Sequence, residues 1–81
     1  MAYYSILMSA LRYSSELDYH IPINCLVPIF ATPNTALKIA NAMANSSIEK
    51  IFVHADTLKE ISEQEYYQLE DRCKELKFLT V

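Results

Sequence analysis

Val27–Ala44, Val-Pro-Ile-Phe-Ala-Thr-Pro-Asn-Thr-Ala-Leu-Lys-Ile-Ala-Asn-Ala-Met-Ala, reads as an extended apolar segment running straight into a capped amphipathic helix. The junction is Thr32-Pro33. A threonine oxygen can accept a hydrogen bond from an orphan amide of the first helical turn. Proline at the first helical position loses no hydrogen bond, and its φ is already helical. It also pushes the residue before it out of the α region, where an N-cap residue sits. Downstream, Ala36, Ile39, Ala40 and Met43 recur at i, i+3, i+4 and i+7, with Leu37 and Ala44 beside them, while Asn34, Thr35, Lys38, Asn41 and Asn45 fall opposite. The spacing predicts a helix from Pro33 to Ala44, ended by Asn45-Ser46-Ser47, with an alanine-lined face flat enough to lie close on a sheet.

Upstream, His20–Ala31 alternates: Ile21, Ile23, Cys25, Val27 and Ile29 share one side, Asn24, Leu26, Pro28 and Phe30 the other. Pro22 and Pro28 cannot donate to a ladder, so this strand is either an edge or has its proline-bearing side unpaired. Ser14-Ser15-Glu16-Leu17-Asp18 is a turn cluster. Before it, the apolar residues of Tyr3–Tyr13 go all round a helical wheel. With period two they divide cleanly, Tyr4, Ile6, Met8 and Ala10 against Tyr3, Ser5, Leu7, Ser9 and Leu11. Tyrosine-rich composition favours a strand over a buried helix, and the two runs make a hairpin.

Beyond the helix, Ile48–His54 carries Ile51, Phe52 and Val53 as a short strand closed by Asp56-Thr57, and Leu58-Lys59-Glu60 is a connector or a single helical turn. Ser62 with Glu65 forms a capping box, and Ile61 with Tyr66 a hydrophobic staple. Tyr66, Leu69, Cys73 and Leu76 then mark the inner stripe of a last helix. Phe78, Leu79 and Val81 suggest a short closing strand. The order β-β-α-β-α gives an α+β fold with two helices on one face of a small sheet.

Eighty-one residues with 52% hydrophobic content fit one globular α+β domain spanning residues 1–81. The charge is divided unevenly. Up to Ile48 the charged residues are Arg12, Glu16, Asp18 and Lys38, whereas eight acids and five bases follow from Glu49 onward. A net charge of −3 with scattered bases argues against nucleic-acid binding. The absence of glycine rules out any glycine-rich phosphate loop. Met1–Tyr4 lacks the basic run of a secretory signal, and prolines interrupt the one long apolar segment. A cytoplasmic, reducing setting is the expectation, with no membrane span.

His20, Cys25, His54 and Cys73 are scattered one per element, without the close pairing a zinc site needs. The two cysteines are too few for a disulfide framework and fall on inward positions, where a cysteine acts as a small hydrophobe. Asp56, after His54 at a strand end, is a turn former. No metal or cofactor site and no catalytic residues are expected, and the chain reads as non-enzymatic. Tyrosines offer the better signal. Tyr3, Tyr4 and Tyr13 lie on a ribbon with few charges, and two helices can cover only one of its faces. On the last helix, Tyr67 sits on an outward arc with Gln64 and Asp71, and tyrosine is enriched where proteins bind. These six residues are the expected partner-binding set, for another protein or for a second copy in a homodimer. A small regulator or inhibitor of a larger protein is the leading reading, a form that phage-encoded inhibitors of host machinery also take. The rival is a small-ligand or nucleotide-binding homo-oligomer, its site between subunits near Arg12, Lys38 or Asn41.

Overall fold

The computed structural model describes residues Met1–Leu79. Its elements are β1 (Ala2–Ser14), β2 (Tyr19–Ala31), α1 (Ala36–Asn45), β3 (Ile51–Glu60) and α2 (Glu63–Glu75), the expected β-β-α-β-α order. The sheet order is β2-β1-β3, both neighbours antiparallel to β1. Strands β2 and β3 therefore run parallel on either side of β1, and α1 carries the chain from one to the other, a split β-α-β arrangement. The hairpin strands have 13 residues each, and the molecule is 42 Å long. That matches the length of such a strand at about 3.3 Å per residue.

The alternation in β1 and β2 survives intact. Tyr4, Ile6, Met8 and Ala10 from β1 and Cys25, Val27, Ile29 and Ala31 from β2 are buried on one face. Ala36, Ala40 and Ala44 of α1 close over them, joined by Phe78 just after α2, with Cys73 of α2 packed against the cluster. Fully burying Ile6, Met8, Val27 and Ile29 contributes about 1.5–3 kcal/mol each. The buried line of α1 is alanine at i, i+4 and i+8, whereas Ile39 and Leu37 stay partly in water. With methyl groups along this line, and Met43 packed beside it, the helix can approach the sheet closely.

Helix α1 begins three residues later than Thr32-Pro33 predicts. The Thr32 carbonyl accepts from the amides of both Thr35 and Ala36 (3.1 Å each), and its hydroxyl is paired with that of Thr35 at 2.7 Å. Residues 33–35 thus form a turn, and the N-cap, Thr35, makes no side-chain cap. Strand β3 also differs from expectation. It runs through Asp56-Thr57 to Glu60. Two steps along β1, Leu7 to Ser5, answer five along β3, His54 to Lys59, so β3 carries a bulge of three extra residues. Thr57 bridges the gap: its hydroxyl accepts from the Leu7 amide (2.8 Å) and donates to the His54 carbonyl (2.6 Å). Turn-forming residues end a strand only when no side chain takes over the ladder, and here one does.

Helix α2 starts where the capping box puts it, Ser62 Oγ accepting from the Glu65 amide at 3.1 Å. Glu63 and Glu65 lie in its first turn and Arg72 and Lys74 in its last, each sign complementing the dipole. Its end is a Schellman turn, with Phe78 N–H to Cys73 O at 2.9 Å and Lys77 N–H to Lys74 O at 3.1 Å. The left-handed position usually given to glycine is filled by Lys77, φ 53°. Phe78 and Leu79 belong to this turn region, not to a strand, and the rest of the suggested closing strand lies outside the described residues. The guanidinium of Arg12 donates to the carbonyls of Leu76 (2.8 Å) and Lys77 (3.3 Å) and to both oxygens of Glu49. One β1 side chain thereby fastens the end of α2 and the approach to β3. No helix among the described residues is long and apolar enough to cross a membrane.

Candidate functional site on the open sheet face

Both helices cover the face that holds the core, so the opposite face is left to the outward residues of three strands. In β1 these are Tyr3, Leu7, Ser9, Leu11 and Tyr13, with Ser5 on the same side but buried, and in β2 the alternate positions from His20 to Phe30. No aspartate, glutamate, lysine or arginine occupies an outward position of either strand. Strand β3 adds Phe52 and His54, which lie opposite Ser9 and Leu7. Phe52 is 67% exposed and Leu11 62%, unusually high for side chains of this size on a strand. With His20, Pro22, Lys50 and Ile51 they line a groove of about 520 Å³.

A polar network borders the groove. Ser9 Oγ lies 2.6 Å from Asn24 Oδ1 and 2.8 Å from His54 Nε2, one contact from each neighbouring strand. The serine has one proton to give, and Asn24 Oδ1 accepts it. His54 Nε2 then supplies the proton on the other bond. In that tautomer His54 is a donor, and no carboxylate among the described residues hydrogen-bonds its ring. A nucleophilic serine needs the opposite polarity and a third group behind the histidine. The network's chemistry is to pin three strands in register and to present oriented polar groups beside an apolar groove.

The six tyrosine-arc and ribbon residues separate on this structure. Tyr4 is 8% exposed, on the helix side, and belongs to the core. Tyr13 lies at the far end of β1, ten residues or about 33 Å from Tyr3. Its hydroxyl donates to Asp18 (2.6 Å), a bond that raises its pKa above the ordinary tyrosine value. Tyr3 and Tyr67 do come together. Phe30, Tyr3, Tyr66 and Tyr67 form a chain of rings with centroids 4.8, 4.9 and 5.3 Å apart. Burial, then Glu63, raises the pKa of Tyr3, and burial, then Glu70, that of Tyr66. The tyrosine surface of α2 is thereby continuous with one end of the open face. Gln64 and Asp71 are exposed on α2.

No family model, no curated protein and no solved structure matches this chain.

Among the described residues no three histidine, cysteine or acidic side chains converge to hold a metal ion. Arg12, one of the groups a nucleotide site between subunits would need, is engaged by Glu49 and the end of α2, while Lys38 and Asn41 face solvent on α1. Two features escape sequence reasoning. The groove around Phe52 depends on the pairing of β3 with β1, which periodicity within one strand does not reveal. The second is the meeting of Cys25 and Cys73, whose sulfurs lie 3.3 Å apart where α2 crosses β2.

Proposed function

We propose that this chain is a non-enzymatic interaction module that binds another protein through the open sheet face, acting as a regulator or inhibitor of that protein. The observation that supports this most is the coincidence of Leu11, Pro22 and Phe52 around one groove on a face with no ionised outward side chain in β1 or β2. Exposed apolar patches of this kind mark interaction sites. Aromatic anchors surrounded by oriented polar groups are what interface hot spots consist of. The bulge in β3 and the prolines in β2 both disfavour adding a strand at either edge. That leaves the face as the surface for docking, with the Tyr3–Tyr66–Tyr67 strip as its extension.

The test uses Leu11→Asp with Phe52→Ser. Light scattering across a concentration series first establishes whether the wild-type chain self-associates. The double variant is expected to weaken that association, or the affinity for a partner isolated with the wild-type chain, by about a hundredfold, the scale of one or two hot-spot residues. Unchanged affinity in a variant with native circular dichroism would remove the face from consideration.

A further inference from the structure

We propose that Cys25 and Cys73 are an oxidation-responsive pair that a low-molecular-weight disulfide converts into an intramolecular bridge, tying α2 covalently to the edge strand β2. The two thiols are 48 positions apart in sequence, and their sulfurs are in contact at 3.3 Å. A disulfide bond needs only about 1.2 Å of further approach. Both sulfurs also lie within hydrogen-bond reach of the same backbone carbonyl, that of Leu26, at 3.6 Å from Cys25 and 3.7 Å from Cys73. They are thus held in one place by two different elements, which is the arrangement a bridge requires.

The two cysteines are unequal in access. Cys25 is buried in the core, and Cys73 is partly exposed on α2. A small disulfide reaches Cys73 first. The Cys73 thiol gives up its proton, and its sulfur attacks one sulfur of the oxidant, releasing the other as a thiol and leaving a mixed disulfide. Cys25 then loses its proton and attacks the Cys73 sulfur, expelling the second small thiol. Two protein thiols are oxidised, one oxidant disulfide is reduced, and the two protons leave on the two small thiols. Burial, and after it the hydrogen bond with Cys25, push the Cys73 thiol up to about 12, so the thiolate that starts the sequence is scarce near neutrality. Oxidation is accordingly slow at neutral pH and accelerates as pH rises.

The bridge matters because α2 itself buries no residue completely. It touches the sheet through the partly covered Tyr66, whose ring meets that of Tyr3, and Cys73, which packs against the core. In the reduced chain α2 can lift from β2 by local opening, which uncovers Cys25 and the β2 edge. In the oxidised chain it cannot.

The experiment treats the wild-type chain with oxidised glutathione at rising pH, then counts free thiols with a maleimide and maps cross-linked peptides. The expected result is a monomeric product without free thiols, bridged between Cys25 and Cys73. Its formation quickens with pH and a dithiol reductant reverses it. In that product amide hydrogen exchange in α2 is at least tenfold slower, and Tm is higher by on the order of 10 °C. A product that stops at the mixed disulfide on Cys73, bridges between chains, or an intramolecular bridge that leaves exchange in α2 unchanged would each overturn the proposal.

Discussion

Arg12 holds Glu49 with two parallel hydrogen bonds, Nε to Oε2 at 2.9 Å and Nη2 to Oε1 at 3.0 Å, while the same guanidinium caps the carbonyls that end α2. The pair joins residues 37 positions apart and is partly shielded from water. Lysine has the charge of arginine but not the planar fork, so Arg12→Lys is expected to lose about 1 kcal/mol. For a chain of this size that lowers Tm by roughly 4–8 °C, readable by calorimetry.

The same contact sets a pH dependence. The hydrogen bond from Arg12 holds the Glu49 carboxyl below its ordinary value. A carboxyl whose folded pKa is depressed contributes stability above its unfolded pKa and loses it as pH falls through the folded one. Wild-type Tm is therefore expected to exceed that of Glu49→Gln near neutrality. The difference should shrink as pH drops below about 4.3, the ordinary glutamate value. A constant difference down to the acid limit would show that the carboxylate charge is not what Arg12 recognises.

Thr57 replaces a missing rung of the ladder between β1 and β3. Thr57→Val keeps the shape of the side chain and removes the hydroxyl, leaving the Leu7 amide and the His54 carbonyl without that partner. A loss of about 1–3 kcal/mol is expected in chemical denaturation. Thr57→Ser should restore most of it.

Ser5 is 1% exposed, and its hydroxyl has no hydrogen-bond partner among the described residues. Leaving a hydroxyl buried and unpaired costs about 1–3 kcal/mol. Ser5→Ala removes it at the expense of one small void, and a gain of roughly 1 kcal/mol is expected in the denaturation midpoint. A loss instead would mean that an ordered water satisfies Ser5.

Phe52 is predicted to matter for surface behaviour and not for folding. Being mostly in water, it should tolerate replacement by serine within about 0.5 kcal/mol. The fluorescence of a dye that reports exposed apolar surface should fall at the same time.

The hairpin, both helices and the inward residues of β1 and β2 could be read from period and capping signals, because each is settled by neighbours in sequence. Ser62 shows this best: its capping partner is three residues away, and α2 begins as expected. Where distant residues decide, the local signal misleads. Asp56-Thr57 resembles the end of a strand, but Thr57 finds Leu7, fifty positions away. Thr32 fails for a local reason instead: two hydroxyls compete three residues apart, its own pairs with that of Thr35, and the helix starts later. The end of α2 is hidden for another reason: its left-handed residue is Lys77 in a chain without glycine, so the usual marker is missing. The open face was legible as a set of uncovered positions on the ribbon. Its centre at Phe52 and Leu11 was not, since it depends on how three strands are set side by side, whereas the burial of Tyr4 follows from the alternation that groups it with Ile6 and Met8.

An outward surface without ionised groups on its two long strands has a thermodynamic signature. A complex formed there has few counterions to release and little Coulomb attraction to screen, so its affinity should hardly change between dilute and concentrated salt. Burying such a surface should instead give a negative heat-capacity change on association. Calorimetric titration at several temperatures would then identify contact through this face, because a partner drawn to the acidic α2 would answer to salt instead.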